Sequence, residues 1–167
     1  MDLQETIRRL IDLGARGVVM EVSSHALEQR RVDGCSFDVG IFTNLTRDHL
    51  DYHLDMDSYL ASKQRLFSEL LVPDNGKPSR HAVVNIDDPA GGRIAAATPC
   101  PVITYGLSGE AAITALEVLF STAGISGTLR TPAGDRAFHS DLLGRFNLYN
   151  ILSAVAAACT LEIPLDV

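Results

Sequence analysis

The sequence predicts an α/β domain: a mostly parallel sheet flanked by helices, with an antiparallel β-ribbon appended to it. Short apolar, β-branched runs alternate with helical stretches up to residue 105, and this alternation is typical of a parallel sheet with crossover helices. After Gly106 the helical spacing gives way to short strand-like runs separated by Gly and Pro, which predicts the ribbon. The 167 residues, 46% of them apolar and 21% charged, have the size and composition of one soluble domain with its own core.

Each element of the alternating part is predicted from its local pattern. Apolar side chains recur at helical spacing before Gly14, which predicts a helix over residues 2–13. The β-branched run at 17–22 is of the kind buried in a parallel sheet, and a serine N-cap then predicts a short helix ending at residue 29. The same patterns predict the elements that follow: a strand at 38–43, a helix at about 56–71, a strand at 81–86, a helix at 89–97 and a strand at 102–105.

The ribbon and one more helix complete the chain. Strand-like runs at 111–120, 124–130 and 135–141 are separated by glycine and proline, which favour turns. The stretch 147–161 is apolar on nearly its whole surface, and we expect it to form a buried helix.

The composition argues against several classes of protein. The 14 basic and 21 acidic residues give a net charge of −7, and the basic ones are scattered, which argues against a nucleic-acid partner. The three cysteines are far apart and form no C-x-x-C pair, so neither a disulfide framework nor a zinc ribbon is indicated. The longest apolar stretch is too short to span a bilayer. We therefore expect a cytoplasmic protein with no membrane span, and a monomer.

Polar side chains follow two of the predicted strands, at the carboxyl ends where open α/β sheets bind ligands. Glu21 ends the strand predicted at 17–22, and a carboxylate in that position is a candidate ligand for a hard cation such as Mg²⁺. The alternative is a solvated Glu21 beside a Ser23 that only caps a helix.

The loop at 43–53, after the next strand, is rich in Asp and His. Loops held by a rigid sheet often carry catalytic groups, which makes its residues candidates for a site. His49 and His53 also have the i, i+4 spacing of zinc ligands, but no third soft ligand accompanies them. Surface histidines and aspartates in Asx-turns are the alternative.

Two further candidates lie on helices. Lys63 has apolar neighbours on the helix at 56–71, and burial would lower the pKa of its amine and make it nucleophilic. A surface lysine with its stem on an apolar face is the alternative. Asn147 and Asn150 share one face at the start of the last helix, where their amides could contact a nucleotide or simply cap the helix.

Five segments of the chain carry a family resemblance. They are E-V-S-S-H-A-L at 21–27, T-N-L-T-R-D-H-L-D-Y-H at 43–53, the helix around Lys63, V-N-I-D-D-P at 84–89 and G-R-F-N-L-Y-N at 144–150. Together they closely resemble the central domain of the Mur ligases, a P-loop-NTPase-like domain, and most closely its MurE type. The segments occur in the family's order along the whole chain.

The resemblance implies an ATP-dependent ligase of peptidoglycan precursor synthesis. Such a ligase adds a diamino acid, L-lysine or meso-diaminopimelate, to UDP-N-acetylmuramoyl-L-alanyl-D-glutamate. ATP would phosphorylate the terminal carboxylate, with Mg²⁺ neutralising phosphate charge, and the amine would then displace phosphate.

The resemblance also implies roles for individual residues. Glu21, His49 and Lys63 would be the catalytic residues and would also hold Mg²⁺, with Lys63 carboxylated to an anionic carbamate. Two further groups would bind ligands. The UDP-muramoyl substrate would be held by Ser23, Gln29 and Arg31. The nucleotide would be contacted by Asn44, Asn147 and Asn150.

The chain departs from the family in what it lacks. No G-x-x-x-x-G-K-[ST] phosphate loop is present, and the only Gly-Lys pair, Gly76-Lys77, is followed by Pro78. The family's N-terminal uridine-binding domain and C-terminal amino-acid-binding domain have no counterpart here. We therefore expect residues 1–167 to be a partial central domain that is inactive alone, with the residues that select lysine or diaminopimelate lying outside it.

Three other functions fit some of the same residues. A folylpolyglutamate synthetase-like ligase belongs to the same class, although the motifs at 21–27 and 43–53 favour the muropeptide branch. A stand-alone hydrolase would use a metal held by residues of one loop: His49, His53, Asp48 and Asp51. Stoichiometric zinc bound through both histidines would favour this hydrolase. A non-catalytic module would bind neither nucleotide nor muropeptide.

Overall fold

The computed structural model describes residues 3–45, 55–72 and 80–165. After two initial helices, strands and helices alternate up to residue 105, and three consecutive strands then precede a last helix. In chain order they are α1 (Leu3–Asp12), α2 (Ser24–Glu28), β1 (Val39–Phe42), α3 (Met56–Arg65), a π-helical turn (Leu66–Leu70), β2 (His81–Asn85), α4 (Gly91–Ala97), β3 (Val102–Tyr105), β4 (Thr114–Ser121), β5 (Gly124–Thr131), β6 (Gly134–Ser140) and α5 (Arg145–Thr160).

The first sheet is parallel and has the order β1-β2-β3. Strand β2 lies in the middle, and its residues Ala82, Val83 and Val84 are fully buried, as the apolar run of a covered parallel strand requires. The α/β fold class that the sequence predicts is confirmed. All three strands end at one edge of the sheet, so the segments that follow them start from the same side of the domain.

The prediction of a sheet strand at 17–22 is wrong. No residue of this run pairs with a strand in the part of the chain that the structure describes. Met20 and Val22 pack against the core by apolar contact, but Val19 is fully exposed. A strand requires a neighbour that accepts and donates its backbone hydrogen bonds, and β1 pairs only with β2 in the described sheet.

The predicted ribbon is present as a second, three-stranded antiparallel sheet with the order β4-β5-β6. An isolated bridge between Tyr105 and Ile113 connects it to the end of β3. The register of β4 against β5 shifts between Leu116 and Leu119, where Glu117 has a φ of 51°. This irregularity bends the strand, because an extra residue in one strand locally disrupts the ladder.

Two hydrophobic clusters cover the opposite faces of β2. Ala82 and Val84 pack in the cluster that includes α3 and α4, whereas Val83 packs in the cluster of α5 and the second sheet. Successive side chains of a strand point to opposite faces, so one central strand joins both halves of the core.

Two predicted helices differ from expectation in detail. Helix α5 is not buried all round: its buried residues lie on one face, Leu148, Leu152, Ser153 and Ala156. One apolar face suffices for a helix that packs on a sheet, and Phe146 on the same helix is 87% exposed. The helix predicted at 56–71 is α-helical to Arg65 and then π-helical, with a hydrogen bond from the Leu71 amide to the Leu66 carbonyl. Among the described residues no helix is both long and apolar enough to cross a membrane.

Two adjacent glycines of α4 give a matched test of the packing of this helix on β2. A Cβ on Gly91 would overlap the backbone carbonyl of Asn85, whereas a Cβ on Gly92 would meet no atom within 4 Å. We expect Gly91→Ala to destabilise the domain by about 1–3 kcal/mol through overpacking. Gly92→Ala should be neutral or stabilise by up to about 1 kcal/mol through helix propensity. Urea unfolding of the purified chain measures both, and equal effects would contradict the packing described here.

Candidate functional site

Lys63 lies on α3 and is partly buried. Its Nζ is 5.3 Å from the ring centroid of Tyr59, which is itself buried. Desolvation lowers the pKa of Lys63, while the negative charges of Glu21 and Asp88 act in the opposite direction. The structure therefore places the predicted lysine within the electrostatic reach of two carboxylates, with its amine more readily neutral than that of a surface lysine.

Glu21 is exposed and belongs to the extended run that precedes α2. Ser23 is the N-cap of α2, because its Oγ accepts a hydrogen bond from the Ala26 amide at 3.2 Å. The capping role weighed for Ser23 from sequence is thus present. Capping uses the hydroxyl as an acceptor and leaves its proton available to donate.

Asp88 was not singled out from the sequence, although it lies in the motif at 84–89. Its two carboxylate oxygens accept hydrogen bonds from the amides of Leu45, at 2.9 Å, and Ala90, at 2.8 Å. Nearby, the Asn85 side chain donates to the Thr43 carbonyl at 2.7 Å. The end of β2 therefore holds the segment 43–45 that leaves β1. The signal that could have found Asp88 is the one used for Glu21, a carboxylate just past a buried strand.

Asn44 is exposed within this segment, directly before residues 46–54. His49 lies outside the described residues, and so do the other members of the hydrolase hypothesis, Asp48, Asp51 and His53. What the structure does describe is the stem of this loop, which is fixed by hydrogen bonds to Asn85 and Asp88.

Gln29 and Arg31 are exposed on the turn that follows α2. The Arg31 amide donates to the Ala26 carbonyl at 2.9 Å, and the Arg30 amide donates to the Leu27 carbonyl at 3.2 Å. Arg30 has a φ of 56°, a left-handed conformation that is costly for a residue with a side chain. The turn is tight, and it presents two polar side chains to solvent.

Asn147 and Asn150 lie in the first turns of α5 and contact each other. The Asn150 side chain donates to the Asn147 Oδ1 at 3.1 Å, and Asn147 in turn donates to the Leu143 carbonyl at 2.8 Å. The face that the two residues were predicted to share is therefore present, and both side chains are held in one orientation.

Asp87 connects three elements next to this pair of asparagines. It accepts hydrogen bonds from the amides of Leu107, at 2.6 Å, and Ser108, at 3.2 Å, and from the Tyr149 hydroxyl at 2.8 Å. Burial raises the pKa of Asp87, but the combined effect of these hydrogen bonds is larger and of opposite sign. The pKa of Asp87 therefore lies below its usual value. Burial and the bond to Asp87 raise the pKa of Tyr149. Asp87 thus ties β2, the segment after β3, and α5 together.

The donor set at the edge of the first sheet agrees in chemical type with Mg²⁺, which prefers carboxylate oxygens. Within the described ranges no group of three or more His, Cys, Asp and Glu side chains is arranged to hold a metal ion. The negative charges of Glu21 and Asp88 act on Lys63, and a carbamate on Lys63 would add two oxygens while removing a positive charge. The residues fit the cation only with that modification or with a ligand from residues 46–54.

Comparison with known proteins gives a consistent match. A family model described as "Mur ligase middle domain" matches residues 1–158. The UDP-N-acetylmuramoyl-L-alanyl-D-glutamate--2,6-diaminopimelate ligase of Geobacter metallireducens is 66% identical over 99% of this chain, which covers 32% of that protein. The ligase of the same name from Geobacter sulfurreducens is 63% identical over 100% of this chain and 33% of its own length.

A solved structure agrees with the sequence comparisons. The structure of a UDP-N-acetylmuramoyl-L-alanyl-D-glutamate--2,6-diaminopimelate ligase superposes with a TM-score of 0.88 at 32% identity, over 98% of this chain and 33% of that one. The chain therefore spans about a third of the length of the relatives that it matches. The family resemblance read from the five sequence segments is confirmed.

The bond between Tyr149 and Asp87 gives a pH-dependent prediction. Because the folded-state pKa of Asp87 is lowered, the stability that it contributes is present above its unfolded pKa, near 3.8, and is lost as the pH falls through the folded value. We expect Tyr149→Phe to cost about 1–2 kcal/mol at pH 7 and clearly less at pH 3, since hydrogen bonds to charged groups are the stronger ones.

Tyr105→Phe is the matched control, because the Tyr105 hydroxyl donates to the uncharged Phe42 carbonyl at 3.3 Å. Its cost should be the same at both pH values. Urea unfolding of the purified chain at pH 7 and pH 3 measures the two costs. A Tyr149→Phe cost that did not change with pH would contradict the charged state of Asp87.

Proposed function

This chain belongs to the Mur ligase family as a middle domain, and from that membership we propose that it is the ATP-binding part of a diaminopimelate-adding ligase. The complete ligase would join diaminopimelate to UDP-N-acetylmuramoyl-L-alanyl-D-glutamate. The names of relatives 66% and 63% identical over almost the whole chain support this choice of substrates over lysine. The observation that carries the proposal is the partly buried Lys63, whose Nζ lies 5.3 Å from the centre of the Tyr59 ring and on which the charges of Glu21 and Asp88 act.

The proposed reaction has two covalent steps. A carboxylate oxygen of the muramoyl dipeptide attacks the γ-phosphorus of ATP, and ADP leaves to give an acyl phosphate. The amine of diaminopimelate then attacks the carbonyl carbon, inorganic phosphate leaves, and the nitrogen loses a proton. Both steps bring anions together, so the site must supply positive charge and hydrogen-bond donors. Mg²⁺ would supply part of that charge when bound.

Lys63 would act as a carbamate. Its lowered pKa supports this, because only the neutral amine adds carbon dioxide, forming an N–C bond and releasing a proton. The product is an anion with two oxygens, and this carbamate together with Glu21 and His49 would hold Mg²⁺. Asp88 would act differently: both of its oxygens bind backbone amides, so its role would be to position the stem of the loop that carries His49.

The substrates would bind on either side of this lysine. On one side, the paired side chains of Asn147 and Asn150 are oriented together at the start of α5, which suits the several donors and acceptors of a nucleotide; Asn44 would contribute from the end of β1. On the other side, Arg31 and Gln29 lie on one exposed turn with Ser23 before it. A guanidinium there would pair with the diphosphate or carboxylate of the UDP-muramoyl substrate.

The function is tested in a full-length ligase whose middle third is this chain, in place of the 66% identical segment of the Geobacter metallireducens ligase. We expect phosphate release that requires ATP, UDP-N-acetylmuramoyl-L-alanyl-D-glutamate and diaminopimelate together, with the tripeptide product identified by mass spectrometry. Phosphate release that did not depend on the diamino acid, or a strong preference for lysine, would contradict the proposal. The chain alone should release none.

The carbamate is tested on the same ligase. The chain contributes only two lysines to it, Lys63 and Lys77, so Lys77 serves as an internal comparison for Lys63. We expect labelled bicarbonate, trapped chemically as a stable ester, to appear on Lys63 and not on Lys77. Lys63→Ala should lower turnover by at least about a hundredfold, since it removes an interaction used in the transition state. Lys63→Arg should do the same, because it keeps the positive charge but cannot be carboxylated.

Lys77→Ala is the control and should turn over at the unsubstituted rate. Full activity of Lys63→Arg would show that a cation suffices and would exclude the carbamate. Circular dichroism of each variant separates loss of function from loss of fold.

A further inference from the structure

Arg65 lies two residues after Lys63 on α3, and all three nitrogens of its guanidinium group donate hydrogen bonds to other groups of the protein. Its Nη1 donates to the Leu27 carbonyl at 2.6 Å, and its Nη2 lies 2.7 and 2.8 Å from the two carboxylate oxygens of Asp33. Its Nε donates to Glu69 at 2.8 Å. The Arg65 side chain is only 13% exposed, and its hydrogen bonds to Leu27 and Asp33 are partly shielded from water, whereas Glu69 is exposed.

The contacts of Arg65 close a short segment of chain. Leu27 and Asp33 are the two ends of the turn at 27–33, and Arg65 holds both of them. Between these ends lie the exposed Gln29 and Arg31, and the strained backbone of Arg30, whose φ is 56°. A left-handed residue that is not glycine persists only where its surroundings hold it in place. The ion pair of Arg30 with Asp33 at 3.4 Å is one such contact, and Arg65 holds the same carboxylate from the side of α3.

We propose that Arg65 is a positioning residue that sets the turn at 27–33, and with it Arg31 and Gln29, at a fixed distance from Lys63. This inference rests on the proposed function, because it takes that turn as the binding site for the anionic UDP-muramoyl substrate. Arg65 does not bind the substrate itself: its donors are occupied by Leu27, Asp33 and Glu69. Arg31 is left to face the anion.

Arg65 would link the turn at 27–33, which binds substrate, rigidly to Lys63 at the reacting centre. Arg65 and Lys63 lie on the same short helix, so a displacement of the turn relative to Arg65 is also a displacement relative to the lysine. A small misplacement of a bound reactant is costly, because the reacting atoms must be held near their attack geometry. Loss of Arg65 should therefore weaken productive binding of the muramoyl substrate and leave ATP binding unaffected.

The experiment measures KM for each substrate in the full-length ligase that carries this chain. We expect Arg65→Leu to raise KM for the UDP-muramoyl dipeptide by about tenfold, a loss typical of one well-formed ion pair, with KM for ATP unchanged. Arg65→Lys should restore only part of the loss, because an ammonium does not reproduce the planar, forked contacts of a guanidinium. Arg93→Ala is the matched control: Arg93 forms an exposed ion pair with Asp57 at 3.0 Å.

A double substitution separates positioning from general stabilisation. If Arg65 acts through Arg31, then Arg65→Leu added to Arg31→Ala should raise KM by less than about twofold beyond Arg31→Ala alone, since coupled residues are not additive. Independent, multiplying effects would overturn the proposal, and so would an equal rise in KM for ATP. Should Arg65→Leu fail to fold, Asp33→Asn removes the same charge pair with little change of shape and must show the same selectivity.

Failure of this inference differs from failure of the proposed function. If Arg31→Ala raises KM for the muramoyl substrate and Arg65→Leu does not, the turn binds substrate and Arg65 does not position it. If neither Arg31→Ala nor Gln29→Ala changes that KM, the turn is not the binding site, and both the substrate assignment and the role of Arg65 are excluded.

Discussion

The structure depends on one constraint: the carboxyl end of β2 must satisfy the backbone groups of the chain segments around it. Asn85, Asp87 and Asp88 follow one another closely here, and their side chains form hydrogen bonds to three other segments of the chain. Asn85 and Asp88 fix the stem that leaves β1, and Asp87 fixes the segment after β3 and the start of α5. Without these side chains, polar backbone groups at the edge of a buried sheet would lack partners, which is costly.

This arrangement holds two segments at the end of β2. Segment 43–45 is held by hydrogen bonds to Asn85 and Asp88, and the start of α5 by the hydrogen bond between Tyr149 and Asp87. The Lys63 amine lies 5.3 Å from the centre of the Tyr59 ring. Burial lowers its pKa, and the charges of Glu21 and Asp88 oppose that shift only in part.

The turn at 27–33 is held in a different way. It is not part of a sheet or a long helix, and its conformation includes the strained Arg30. A partly buried arginine, paired with Asp33 and Glu69, contacts both ends of the turn, and Arg30 itself forms an ion pair with Asp33. Ion pairs whose carboxylates are partly exposed contribute little to overall stability. In the run at 17–22, by contrast, Val19 is fully exposed.

The sequence by itself determined the fold class and the order of the elements from β1 to α5, because hydrophobic periodicity and turn residues are local properties. It also placed Lys63 on a helix among apolar residues, and Asn147 with Asn150 on one face at the start of the last helix. Tertiary structure alone decided that 17–22 does not pair, since pairing depends on a neighbouring strand and not on β-branched content. It also decided that Asp87, Asp88 and Arg65 connect segments 20 to 62 residues apart. No local pattern encodes such contacts, because hydrogen bonds between distant segments exist only once the chain has packed them together.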